Sequence, residues 1–164
     1  MKLLKYIFFS IILLYIQVLF LSRFNFLGTS LYLPLAMVVY MAIHLNYFSS
    51  MTITLIMSLI WDIMFPQLLG LNVILNVTIC HLVFLFHSNI NKEKFLSVFF
   101  SVFVLNIIYF LGYWLYYIIS FQNPNILIVS SVLSVVFNSL LNVLVLYLLT
   151  LTDQLQIVIN EDTN

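Results

Sequence analysis

Charge is almost missing from this sequence. Five Lys or Arg and five Asp or Glu among 164 residues, 6% in all, are far too few to cover a water-facing surface, which draws on roughly 25% charged residues in soluble domains. A soluble globular domain is therefore excluded. The formal net charge is +0, so there is no basic footprint for nucleic acid. Cysteine occurs once, as Cys80, which excludes an internal disulfide and a thiolate metal cluster. Its role is that of a small apolar filler on a helix. Proline is equally sparse, and Pro34, Pro66 and Pro124 fall in a first turn or in links between apolar runs. Catalytic constellations are missing too. Asp62 and Asp153 fall near opposite membrane faces, no Ser/His dyad or His–Glu metal motif stands at useful spacing, and an enzyme reading has little to rest on. His81 and His87 are six residues apart, about 240° around a helix, and cannot share a metal from one face.

What is present is apolar length. Hydrophobic residues make up 65% of the chain, and the mean hydropathy is +1.21. A membrane-spanning helix needs about 20 apolar residues, so this length accommodates roughly six with short connections. The expected fold is an all-α polytopic membrane bundle with spans at about 4–22, 31–48, 51–65, 70–86, 95–119 and 126–151. Residues 1–155 form one transmembrane domain and 156–164 a short tail. Lys2 and Lys5 precede the first run, which ends at Ser22 and Arg23 without a small-x-small cleavage site, so it is read as a retained helix. Six crossings place Lys2, Lys5, Lys92 and Lys94 on one side and only Arg23 on the other. The positive-inside rule then puts both termini in the cytoplasm.

Polar residues within the runs are few and patterned. Asp62, beside Trp61, is the one Asp inside them, followed by a break at Pro66, Gln67 and Gly70, after which Asn72 opens the next run. A carboxylate at hydrocarbon depth costs about 2.5–3.5 kcal/mol on insertion scales, so it is paired, interfacial or functional. The third span is short, about 22 Å for 15 residues, which brings Asp62 toward the outer boundary. Ser10 and Gln17 share a face of the first helix and turn toward other helices. Asn72, Asn76 and Cys80 form an i, i+4, i+8 stripe on the fourth. Ser131, Ser134, Asn138 and Asn142, with Ser130 and Ser139 beside them, form a ridge on the sixth that suits close packing within the bundle or against a partner helix. Tyr109, Tyr113, Trp114, Tyr116 and Tyr117 read as an aromatic belt at the water interface. His44 and Asn46 read as interfacial hydrogen-bonding groups.

These features, in this order, resemble the MreD family of rod shape-determining proteins, small six-span bacterial inner-membrane proteins. The likeness covers most of the chain. It runs from Gln17 in the first helix through the Gly28 turn and Pro34 to Leu59-Ile60-Trp61-Asp62 and Leu69-Gly70-Leu71-Asn72, similar to the family's Gly-Leu-x-x-Asp and Leu-Gly-Leu-Asn pattern. Ser58 stands where the family usually has Gly, and Leu35 follows Pro34 where an Asp is frequent. The resemblance implies a non-enzymatic scaffold without cofactor or metal in the bacterial inner membrane. It implies association with MreC, a single-span protein, in a machinery for lateral wall growth that includes the MreB filament, the RodA glycosyltransferase and a class B penicillin-binding transpeptidase. Membrane lipid is the other expected partner. The candidate partner-binding residues are Trp61, Asp62, Gly70 and Asn72 in the first region, and Ser131, Ser134, Asn138 and Asn142 on the last helix.

A second reading comes from the similarity of the family's bundle to the substrate-binding components of energy-coupling-factor vitamin transporters. Asp62, Gln67, Asn72 and Tyr109 supply some polar groups for a small-molecule site. An Ala-x-Ala docking helix is absent, since the chain holds only Ala36 and Ala42.

Overall fold

A computed structural model describes residues 2–19, 25–26, 29–30, 32–64, 70–86, 95–121 and 128–161. Among them are six helices and one small hairpin. The order is α1 (Lys2–Leu19), β1 (Asn25–Phe26), β2 (Thr29–Ser30), α2 (Pro34–His44), α3 (Tyr47–Met64), α4 (Leu71–Phe86), α5 (Phe95–Phe121) and α6 (Ile128–Glu161). β1 and β2 pair antiparallel, Asn25 with Ser30 and Phe26 with Thr29, and β2 packs against α6. Gly28, Pro66, Gln67, His87, Lys92, Lys94 and Pro124 lie outside the described residues.

The polarity of the molecule is reversed from that of a water-soluble protein. Large apolar side chains cover the outside, among them Phe8 and Tyr15 of α1, Phe48 and Ile63 of α3, Ile74 of α4, Phe100 and Ile119 of α5 and Leu144 of α6. Ser10, Gln17, Ser58, Asp62, Asn72, Asn76, Asn106, Ser134, Asn138 and Asn142 are buried inside. Lipid tails solvate the outer groups at no penalty, whereas polar groups need partners that only the protein interior supplies. This is a membrane protein. By length and composition, Tyr47–Met64, Val98–Tyr116 and Leu133–Thr152 are each sufficient to cross a bilayer, and α1, α2 and α4 are shorter apolar helices.

At the centre stands α2, packed against all five other helices. Its residues Pro34 to Ala42 are buried without interruption, which a helix can afford only when it is surrounded. Pro34 at its start has no N–H to leave unbonded, which suits a first turn. The helix stops at Leu45, which turns extended while its N–H still bonds the Met41 carbonyl at 2.8 Å. With eleven residues, α2 is only about 16 Å long.

The helix bounds depart most from the sequence reading at two places. The break between the second and third helices falls at Leu45–Asn46, so Tyr47 and Phe48 join α3 rather than α2. The short helix is thus α2, and α3 has 18 residues, about 27 Å. Neither Gly nor Pro marks that break. At the other end, α6 continues as helix to Glu161, past the expected 151, because nothing in Asp153–Glu161 interrupts a helix.

Close approach between α4 and α5 depends on Gly112. A Cβ there would collide with the Leu75 side chain. That contact draws the polar face of α4 against the tyrosines of α5.

Candidate functional site

The polar interior is organised around the Asp62 carboxylate, near the end of α3. Oδ1 accepts from Asn72 Nδ2 at 2.6 Å, and Oδ2 accepts from the backbone N–H of Gly70 at 2.9 Å and of Val73 at 3.3 Å. These backbone groups belong to the first turn of α4, where four N–H groups have no partner within the helix. Asp62 caps that turn from a neighbouring helix, and its negative charge complements the positive end of the α4 dipole. Gly70 permits the geometry. Its φ of 89° is a left-handed conformation disfavoured by about 1–2 kcal/mol for residues with a Cβ. It aims the Gly70 N–H back at α3 and starts α4 in the same step.

From Asp62 the network passes through Asn72 to α5. Asn72 Oδ1 accepts from Tyr109 Oη at 2.7 Å and from Tyr113 Oη at 3.1 Å. Tyr109 and Tyr113 are one turn apart and face inward at this level, rather than serving as the interfacial belt expected of them. Trp114 and Tyr116 are intermediate in exposure, and the Tyr117 side chain lies outside the described ones.

Tyr32 joins the helices at the next level. Its ring stacks on Tyr109 with centroids 4.5 Å apart and meets Trp61 edge-on at 5.9 Å. Its hydroxyl accepts from Asn76 Nδ2 at 2.7 Å, and the same amide donates to Ser58 Oγ at 2.9 Å. The backbone there is not helical, so its N–H groups need side-chain acceptors. Tyr32 N–H donates to Asn138 Oδ1 of α6, and Leu33 N–H donates to Gln17 Oε1 of α1 at 2.9 Å. The entry into α2 is therefore held by the two helices that flank it.

Lower on α6, Asn142 Nδ2 reaches Asn106 Oδ1 of α5 at 3.5 Å, while Asn106 Nδ2 and Asn138 Nδ2 return to carbonyls in their own helices. Asn76 Oδ1 and Asn142 Oδ1 are buried acceptors without a hydrogen-bond partner.

Of the residues singled out from sequence, Trp61, Asp62, Gly70 and Asn72 lie together at the α3–α4 turn. Asn138 joins them through Tyr32, and Ser134 is buried one turn before it on α6. Asn142 sits apart, against Asn106. Ser131 belongs to α6, but its side chain lies outside the described ones. All the described members except Gly70, which is half-buried, are buried, and every hydrogen bond given above for them ends on this chain. Tyr32 was missed, as were the roles of Ser58, Asn76 and Asn106. The i, i+4 pairing of Tyr109 with Tyr113 was the usable sign that α5 carries an inward polar face; a Tyr outside any helix or strand, two residues ahead of Pro34, offers no periodicity to read.

Chemically, the arrangement positions helices. The carboxylate accepts from donors on both oxygens and has no ion-pair partner among the described residues, and no group of three His, Cys, Asp or Glu gathers there for a metal. Neither the curated proteins nor the solved structures gave a match to this chain. The model of one family does match, described as rod shape-determining protein MreD, over residues 1–153. The chain belongs to the MreD family of rod shape-determining proteins.

Proposed function

We propose that this protein is a non-enzymatic scaffold of the bacterial wall-elongation machinery. In this reading it crosses the inner membrane six times with both termini in the cytoplasm. It binds an MreC-like single-span protein, and through it the RodA-type glycosyltransferase, the class B transpeptidase and the MreB filament that build peptidoglycan. Family membership carries the role in rod-shape determination. One observation supports the scaffold reading above the rest. The polar side chains around Asp62 are spent on holding α1 to α6 together, which leaves the outer apolar faces as the route of contact with other membrane proteins. Trp61, Asp62, Gly70, Asn72, Ser134 and Asn138 then affect partner binding by fixing helix positions, and Ser131 and Asn142 belong to the same proposal on α6.

The test is depletion in the source bacterium, together with purification of the full chain from solubilised membranes. Loss of rod shape and recovery of the MreC-like protein in stoichiometric amount are expected. Unchanged cell shape, or recovery of the chain without that partner under conditions that preserve its fold, overturns the proposal.

A further inference from the structure

A file of polar side chains runs along the α3–α4 interface. Ser50, Thr54, Ser58 and Asp62 follow one another at i, i+4, i+8 and i+12 on α3, so they share one face. They lie against Asn72, Asn76 and Cys80 of α4, and every member is buried. Three rungs of this file are direct contacts: Asp62 with Asn72 at 2.6 Å, Ser58 with Asn76 at 2.9 Å and Ser50 with Cys80 at 3.2 Å. The level between the last two differs. Thr54 sits there, one turn from Ser50 and one from Ser58, opposite the turn that joins Asn76 to Cys80. Its Oγ1 has no hydrogen-bond partner, and neither does Asn76 Oδ1. Ser10, Thr52, Thr78 and Ser139 each donate to the carbonyl four residues earlier in their own helix. The Thr54 hydroxyl leaves that bond unmade and lies toward the Cys80 thiol instead. Thr54 stands about 10 Å from the start of α3 at Tyr47 and about 15 Å from its end at Met64, so neither membrane surface supplies a partner. Polar atoms left bare at such a depth carry their full desolvation cost.

We infer that one water molecule is bound between α3 and α4 at this level, donating to Asn76 Oδ1 and bridging it to the Thr54 hydroxyl, with the Cys80 sulfur as a third neighbour. Buried waters typically make about three such contacts, to groups that otherwise have none. The size of the site selects water. Successive rungs on one helix face are about 6 Å apart, and the direct contacts Ser58–Asn76 and Ser50–Cys80 close the site at both ends, so a larger molecule would have to break one. A cation is the poorer occupant, because the carboxylate of this file, Asp62, is two turns away and already accepts from Gly70, Asn72 and Val73. Reversing the Asn76 amide alters only which of its two atoms is bare, and water serves either as donor or as acceptor. With the water in place, the file is continuous from Asp62 to Cys80 and ties α3 to α4 at every turn.

The test uses the full chain in a mild detergent. Brief X-ray radiolysis in heavy-oxygen water labels reactive side chains that lie beside bound water. Cys80 is compared with Met37 of α2, a sulfur side chain that is equally buried but has no place in the file. Cys80 should label several times faster than Met37. Thr54→Val should remove most of that excess, and Thr54→Ser, which keeps a hydroxyl, should retain it. Unfolding by SDS titration then supplies a sign. Valine copies the shape of threonine, so around a bound water Thr54→Val removes one bridge, and the folding equilibrium constant should fall by about two- to tenfold, the worth of one net hydrogen bond. In a dry site the same change deletes an unsatisfied hydroxyl, and stability holds or rises. Labelling of Cys80 no faster than Met37 overturns the inference. So does an excess that survives Thr54→Val, or a Thr54→Val chain at least as stable as the parent. Should that variant fail to fold, the ratio of Cys80 to Met37 labelling in the parent decides.

Discussion

Replacing Asp62 with alanine strips three donors of their acceptor in one step. The Asn72 amide and the Gly70 N–H sit at 2.6 and 2.9 Å, and the Val73 N–H at 3.3 Å. Each buried donor left bare costs about 1–3 kcal/mol, with the long Val73 contact at the low end. The α4 dipole loses its counter-charge, a further 0.3–1 kcal/mol or so. Against this, the variant no longer holds a carboxylate away from water, a relief of up to about 3 kcal/mol on insertion scales. With that relief taken in full, the balance is a destabilisation of about 0.5–5 kcal/mol. Asp62→Asn should cost less, about 1 kcal/mol. Its oxygen still serves the backbone of α4, and its NH₂ is met by reversing the Asn72 amide, whose own NH₂ the Tyr109 and Tyr113 hydroxyls can accept. The assay is unfolding of the full chain by SDS titration from a mild detergent, in a Trp114→Phe background so that fluorescence reports Trp61, whose ring sits beside the site. An alanine variant within about 0.5 kcal/mol of the parent, below the cost of even one bared donor, refutes the capping argument. So does an asparagine variant less stable than alanine. Unchanged unfolding in both variants with loss of the single-span partner would instead make Asp62 a direct contact.

Substitutions at four further sites, one of them with a compensating partner, probe the same framework by the same titration. Gly70→Ala should cost about 1–2 kcal/mol through backbone conformation alone, since a Cβ there meets nothing within 4 Å. Gly112→Ala meets only the Leu75 side chain and gains helix propensity, so it should cost no more than about 1 kcal/mol, and Leu75→Ala in the same chain should show a favourable coupling with it in a double-mutant cycle. Tyr32→Phe keeps the stack on Tyr109 and loses one hydrogen bond, about 1 kcal/mol, whereas Tyr32→Ala should cost about 3–5 kcal/mol. Asn138→Leu bares the Tyr32 N–H and should cost about 1–3 kcal/mol, with a matching loss of rod shape in complemented cells.

Much of this architecture was legible in the sequence because a bilayer makes simple demands. Apolar runs located the helices. Polar residues at helical spacing, such as Ser10 with Gln17 and Asn72 with Asn76 and Cys80, announced inward faces that the structure confirms as buried. The eleven residues from Asp62 to Asn72 stood out as one region of the sequence, although as a surface for a partner, and the bonds of Asp62 to Gly70 and Asn72 were not read from it. Less legible was anything made by tertiary contact. The break at Leu45–Asn46 carries no Gly or Pro and reads as continuous helix, so the short element was assigned to α3 instead of α2. Tyr32 lies just ahead of α2, outside any helix or strand, and its partners Asn76, Tyr109 and Asn138 are 44 to 106 positions away. Tyr109 and Tyr113 fell within a run of aromatics whose composition alone suggests an interface, and only the packing of α5 on α4 separates the inward pair from the others.

The central helix bears on how the molecule is made. A rod of about 16 Å falls short of a hydrocarbon layer of about 30 Å by itself, so it completes a crossing only inside the bundle, and its entry ends in bare amide groups that hydrocarbon will not tolerate. It therefore has no stable resting place until Gln17 from an early segment and Asn138 from the last one are both at hand. Synthesis must run nearly to completion before the middle of the protein can settle, and a chain truncated ahead of α6 should be held by quality control rather than released as a smaller bundle.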